Sequence, residues 1–474
     1  MWIYLLVIFF ICYLLIALEH ILNVNKSAIS LFLAVVLWTI VLGNAADVST
    51  LYNAEKFSQF LLQNPAEAAL SLHDQSIHFL IEKMMVLHLG DISETLFFLL
   101  GAMTIVELID QHGGFNFITQ RIKTRKIRTL LWTIAFISFF LSALLDNLTT
   151  SIIMIMLVRK IITHRELRWW MCGVIIIAAN TGGAWSPIGD VTTIMLWVKG
   201  NITALPTVTH LILPSLVAMV VPLLFITYRL RGVVETAQVQ RVEGKFYEQL
   251  TQRERMIVLV IGVIGLLCVP IFKSITGMPP FMGILFVLSI LWIYTEIVYR
   301  KRLDIEEHRK NRVSRVISHI DMSTILFFLG ILMAVSALQV AGILNYSAIQ
   351  LDNGIHNIYF INGIIGVFSS IVDNVPLVAG AIGMYDIPTF ANLSTMVDPV
   401  YSQHFMQDCE FWQLTAYCAG VGGSMLIIGS AAGVVAMGLE KITFAWYFKR
   451  FTLLAFIGYL AGLFTYWLQI QLIG

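Results

Sequence analysis

Three aspartates stand inside long apolar stretches of this chain: Asp146, Asp190 and Asp373. Asp146 and Asp373 are each followed by asparagine, as Asp146-Asn147 and Asp373-Asn374. Asp190 closes the run Asn180-Thr181-Gly182-Gly183-Ala184-Trp185-Ser186-Pro187-Ile188-Gly189-Asp190. Neutral oxygens accompany the three acids: Asn147, Thr149, Asn180, Thr181, Asn374, Ser424 and Ser430. Hard, oxygen-only ligation of this kind suits an alkali cation. A carboxyl group withdrawn from water holds its proton to higher pH, while a bound cation favours the ionised form. One acid can therefore hold a proton or a cation, each expelling the other. Acids inside a membrane cost several kcal/mol and mark ion or proton paths. The structural alternative is a helix cap, for which Asp-Asn is good turn chemistry. No Lys or Arg stands near the acids in the same runs, so a salt bridge is not expected. The expected ligand groups are Asp190 with Asp146, and Asp373 with Ser424 and Ser430.

These groups need a scaffold, and composition says which kind. The 474 residues are 58% hydrophobic and 12% charged, with a mean hydropathy of +0.82. Soluble domains carry roughly 25% charged residues, so a soluble enzyme is excluded. A net charge of +1 leaves no basic excess for phosphate contacts, which excludes nucleic acid as a partner. The five cysteines lie mostly in apolar runs without metal-ligand spacing and read as small core residues. The expected fold is an all-α polytopic membrane protein whose main partner is the lipid bilayer.

A crossing needs about 20 apolar residues. Such runs fall near 1–18, 28–46, 92–110, 171–198, 208–228, 256–272, 280–298, 321–343, 411–438 and 446–470. Nothing basic precedes the first, so a retained helix is expected rather than a cleaved signal. Residues 127–158 and 357–384 fit no simple crossing, and each reads as a re-entrant hairpin of two half-length helices. Ten crossings starting outside then place 26 Lys and Arg inside and four outside, the asymmetry expected of cytoplasmic loops.

The halves echo each other. Thr95-Leu96-Phe97-Phe98-Leu99-Leu100-Gly101 returns as Thr324-Ile325-Leu326-Phe327-Phe328-Leu329-Gly330. Asp146-Asn147 returns as Asp373-Asn374, and Gly182-Gly183 with Gly189 returns as Gly422-Gly423 with Gly429. Five crossings per half make the second half inverted, the signature of secondary transporters. The expected organisation is a first repeat over 1–230 with hairpin 127–158 and broken helix 171–198. A cytoplasmic linker over 231–255 follows. The second repeat covers 256–474, with hairpin 357–384 and broken helix 411–438. Glycine and proline in the breaks free backbone groups that lipid cannot satisfy.

Four further groups are candidates for a proton path or pH sensing. His88, Asp91 and Glu94 cluster near the outer end of 92–110, and Glu107 stands near its cytoplasmic end. A solvated helix end is the competing reading for each. Catalysis has weak support: Gly422-Gly423-Ser424 suggests a serine nucleophile and Gly189-Asp190 an aspartyl protease fragment. A serine nucleophile needs a base, and no histidine follows His404. A passive channel is a third reading, which the two-fold hairpin plan disfavours.

At Gly90–Glu107, Asp146-Asn147-Leu148-Thr149-Thr150, the 180–190 break, Ile371–Pro376 and the 422–433 break, the sequence resembles the ion transporter superfamily, which includes arsenite permeases and divalent anion carriers. Within it, the chain is most similar to the NhaD-type sodium/proton antiporters. The resemblance implies Na+ or Li+ exchanged for H+, an elevator-like or rocking motion, a homodimer and no cofactor. It also implies a bacterial inner membrane and a role in pH homeostasis. Superfamily members that carry dicarboxylates have Ser-Asn-Thr at the hairpin tips. Asp146-Asn147-Leu148 and Asp373-Asn374-Val375 depart from that pattern with acids that repel an anion. Carboxylate or arsenite transport is the alternative within the superfamily.

Overall fold

The computed structural model describes residues 1–17, 24–114, 124, 126–230, 232–233, 251–301, 312–318, 320–371, 373–394, 396 and 398–473. Regular structure among them is helical. The helices that matter below are α1 (Trp2–Ala17), α2 (Lys26–Gly43), α3 (Val86–Gln111), α4 (Ile127–Leu145), α5 (Asn147–Ile161), α6 (Arg165–Ala184), α7 (Val191–Val198), α8 (Ala204–Arg229), α9 (Gln252–Thr276) and α10 (Pro280–Lys301). They continue with α11 (Met322–Val340), α12 (Ile343–Gly354), α13 (Ile358–Ser369), α14 (Asn374–Met384), α15 (Glu410–Gly422), α16 (Ala431–Glu440) and α17 (Leu453–Ile473). Eight helical stretches among the described residues are long and apolar enough to cross a membrane. The chain is an all-α polytopic integral membrane protein.

The break at Asp146 divides the run 127–158 unequally. Half-length arms are expected there, but α4 is 19 residues long and itself counts as a spanning stretch. No Gly or Pro falls between Ile127 and Leu145, so nothing ends α4 before Asp146 turns the chain at φ 78°. The second run does divide into short arms, α13 of 12 and α14 of 11 residues. The interrupted helices are α6 with α7, and α15 with α16; α6 begins at Arg165 rather than near 171. The expected linker 231–255 lies largely outside the described residues.

The chain forms two compact units, each drawing on both halves of the sequence. The first takes residues 1–97, 321–361 and 375–405. Its axis is the pair α2 and α11, joined where Trp38 Nε1 donates to the Met333 carbonyl at 2.9 Å. Trp2 Nε1 donates to the Ala341 carbonyl at 2.8 Å and pins α1 to the end of α11. In the same unit Asp398 caps the short helix Pro399–Gln403, accepting the Tyr401 amide at 3.0 Å, with His356 Nε2 at 3.4 Å. The Tyr401 amide above all, aided by His356, holds this carboxyl below the ordinary carboxylate range. Its contribution to folding is thus present above the unfolded-state pKa and fades as pH falls through the depressed value. An NMR titration should place Asp398 below the ordinary value of about 3.9. A midpoint at or above it would show that the cap does not form.

The second unit takes residues 98–320, 362–374 and 406–474. It holds α4 to α10, α15 to α17 and the turn ahead of α14. Within it α8 lies along α17, α4 along α6, and α9 along α10. Its interior carries many polar groups, including Asn147, Asn180, Asp190, Asn374, Ser424 and Ser430, all buried.

Candidate cation site

Asp190 is the centre of that polar interior. The break between α6 and α7 ends at this residue, which has an extended backbone (φ −145°, ψ 151°) and caps α7. Its Oδ1 accepts the Thr192 amide at 3.4 Å, and its own amide donates to Thr193 Oγ1 at 3.3 Å. The positive end of α7 thereby faces a negative side chain. Asn147 Nδ2 donates to Asp190 Oδ2 at 3.3 Å, and Asn374 Nδ2 donates to the same oxygen at 3.2 Å. Asn147 opens α5 and Asn374 opens α14, so the first residue of each of these helices delivers its amide to one carboxylate. Asn147 Nδ2 also reaches Asn180 Oδ1 at 3.1 Å, and Asn180 Nδ2 donates to Ser430 Oγ at 2.9 Å. Ser430 in turn caps α16 through the Gly433 amide at 3.3 Å.

A matched device brings each interrupted helix to this place. Ser142 Oγ donates to the Ala179 carbonyl at 2.6 Å, and Ser369 Oγ donates to the Ala419 carbonyl at 2.7 Å. Gly182 lies against the Phe139 carbonyl and Gly422 against the Gly366 carbonyl, in each case too closely for a Cβ. Ser430 repeats the backbone of Asp190, with φ −146° and ψ 155°. Gly420 stands beside the acid; a Cβ there would sit 3.5 Å from Asp190 Oδ2.

The other candidates are placed differently. The Asp146 carboxylate turns back on its own helix, accepting the Thr149 amide at 2.8 Å and Thr149 Oγ1 at 2.9 Å. Asp373 is partly buried just ahead of Asn374. Thr181 Oγ1 donates to the Ile177 carbonyl at 2.8 Å, and Ser424 Oγ donates to the Val421 carbonyl at 2.6 Å. Both hydroxyls are thus engaged by helix carbonyls, Thr181 within α6 and Ser424 just past the end of α15. His88, Asp91 and Glu94 are partly buried on α3 in the first unit. Glu107, in the second unit, accepts Gln111 Nε2 at 2.7 Å.

Ser142, Ser369, Thr192 and Thr193 were not singled out from the sequence. For the two serines a signal existed: each stands four residues before an Asp-Asn pair. The arrangement as a whole is a buried carboxylate with neutral oxygens and amides around it, able to hold a proton or a small hard cation.

A family model described as citrate transporter matches residues 4–401. Sodium/proton antiporter 1 of Arabidopsis thaliana is 48% identical over 377 residues, which are 80% of this chain and 62% of that protein. Sodium/proton antiporter 2 of the same plant is 42% identical over 462 residues, 97% of both chains. The Na(+)/H(+) antiporter NhaD of Vibrio cholerae is 29% identical over 488 residues, 97% of this chain and 90% of that protein. The chain belongs to the citrate transporter family and, within it, stands with the sodium/proton antiporters of NhaD type.

Proposed function

We propose that the protein is a secondary transporter, not an enzyme, that exchanges Na+ for H+ by alternating access, with Li+ as a second cargo. The observation that carries this reading is Asp190, fully buried and held by asparagines from both hairpin turns. A proton or a cation neutralises that acid, and the two compete for it. Carrying an uncompensated carboxylate through an apolar barrier is costly, so the loaded forms switch faces and the empty charged form does not. That rule alone couples inward proton movement to outward cation movement. The ligand set is Asp190 with Asn147, Asn180, Asn374 and Ser430, and Asp146 and Asp373 add charge to it. His88, Asp91, Glu94 and Glu107 serve proton access or pH sensing.

Two inverted-topology repeats, each with a re-entrant hairpin and a discontinuous helix, build this site. The paired serine anchors, the paired glycine contacts and the paired caps at Asp190 and Ser430 support that reading. The basic asymmetry of the loops supports an N-terminus outside. The bacterial NhaD relative supports a bacterial inner membrane, and the antiporter names support work in pH homeostasis. The assembly is a homodimer.

The test is a flux assay in proteoliposomes with an imposed proton gradient. Na+ should dissipate the gradient and Li+ should substitute for it, while citrate and succinate should not be accumulated. Sodium-dependent citrate uptake without proton movement would replace antiport with anion symport.

A further inference from the structure

The chain Asn147–Asn180–Ser430 joins three helices, α5, α6 and α16, at the level of Asp190. The same three helices are joined a second time, far from it. Glu440, the last residue of α16, has a side chain only 1% exposed, and two arginines reach it. Arg168 of α6 donates from Nε to Glu440 Oε2 at 2.9 Å. Arg159 of α5 brings Nε within 2.9 Å of Glu440 Oε1, an ion pair rather than an aligned hydrogen bond. Arg168 also donates from Nη1 to the Thr163 carbonyl at 2.8 Å and the Ile162 carbonyl at 3.3 Å, closing the end of α5. Trp169 Nε1 donates to the Glu440 carbonyl at 3.0 Å, which closes the end of α16.

The spacing along the helices agrees at both junctions. From Asn147 to Arg159, and from Arg168 to Asn180, the rise is about 18 Å; from Ser430 to Glu440 it is about 15 Å. A helix sliding along its axis would have to break one junction or the other. Ion pairs to a buried carboxylate such as Glu440 add little net stability, because desolvation offsets the attraction, but they can fix register.

We propose that the Arg159–Glu440–Arg168 triad is a positioning device for ion exchange. It fixes the axial register of α5, α6 and α16, so that the asparagine of the first hairpin and the serine of the second interrupted helix meet at Asn180. Glu440 touches no transported ion; it acts on ion affinity through Asn180 and Asn147. The proposal rests on the reading of Asp190 as the cation site.

The experiment compares wild type with Glu440→Gln in proteoliposomes, recording the apparent Na+ KM, the maximal rate, the pH profile and the thermal midpoint. Glu440→Gln keeps the size and removes the charge that holds both arginines. The expected result is a KM raised about tenfold, the low end of what losing a ligand-orienting partner costs. The maximal rate should change far less, and the pH profile should move with the altered competition between Na+ and H+. Arg168→Gln should have a larger effect than Arg159→Gln, because Arg168 ties all three helices. Exchanging the charges, Glu440→Arg with Arg168→Glu, should recover part of the affinity. A Glu440→Gln carrier with a lowered thermal midpoint but wild-type KM and pH profile would make the triad merely structural and overturn the proposal. If Glu440→Gln does not reach the membrane, Arg159→Gln, whose side chain is 45% exposed, decides: a raised KM supports the proposal and an unchanged one overturns it. Asp190→Asn run in parallel separates the two readings. If it is inactive while Glu440→Gln is normal, the positioning role alone fails; if it is active, the cation site itself is misplaced.

Discussion

Asp190→Asn should reduce Na+-driven proton movement to that of protein-free liposomes while the protein stays folded and inserted. The substitution keeps the shape of the side chain and one carbonyl oxygen but removes the group that a proton or a cation can neutralise. The asparagine carbonyl oxygen, with its two lone pairs, can still accept from both Asn147 and Asn374, which donate to Asp190 Oδ2, so the substitution removes the charge while keeping these two contacts. Asp146→Asn is the informative contrast. That carboxylate is engaged by Thr149, and asparagine caps a helix about as well as aspartate. Exchange should therefore persist, at reduced rate, in Asp146→Asn. Equal inactivity of the two variants would mean that Asp146 and Asp190 share the cation's charge. Near-normal exchange and pH profile in Asp190→Asn would remove Asp190 from the site.

Much of this arrangement was legible in one sequence because membrane chains punish exceptions. An acid, a glycine pair or a proline in an apolar run has to be accounted for, so Asp146, Asp190, Asp373 and the two breaks stand out. What side chains do once folded was harder to read. Asp146 and Thr149 have the spacing of a cap and its partner, yet the same spacing also serves a shared ligand set; only the orientation of the carboxylate separates them. The length of α4 was readable from its lack of glycine and proline, but the length of the whole run 127–158 argued for two half-length arms. The Glu440 triad was hidden for a different reason. Arg159 and Arg168 count in the sequence as marks of a cytoplasmic loop, and the residue that they meet lies 272 positions beyond Arg168. Loop charges taken only as topology markers carry no information about partners at that separation.

The second large effect concerns the glycines that let the interrupted helices close on their neighbours α4 and α13. Gly422→Ala should unfold well below the wild-type midpoint, whereas Gly438→Ala should be tolerated. Both glycines lie on the second interrupted helix, Gly422 ending α15 and Gly438 inside α16. A Cβ on Gly422 would press into the Gly366 carbonyl group, 2.8 Å from its carbon, and one on Gly438 would meet nothing within 4 Å. The obstacle at Gly422 is backbone on both sides, so no rotamer change relieves it. The helix must instead move away from the Ala419–Ser369 contact that anchors it. Overpacking of this kind costs about 3 kcal/mol, whereas alanine inside a helix gains about 0.5–1 kcal/mol over glycine. The two variants therefore differ by several kcal/mol for the same added methyl group. Gly182→Ala meets the Phe139 carbonyl group in the same way, so it should fail as Gly422→Ala does. Thermal unfolding in detergent, with retention on size-exclusion chromatography, measures all three. If Gly422→Ala and Gly182→Ala unfold at the wild-type midpoint, the helices do not approach α4 and α13 as closely as the geometry requires. If Gly422→Ala alone is tolerated, the two interrupted helices are not held by equivalent contacts, and the repeat reading loses its strongest support.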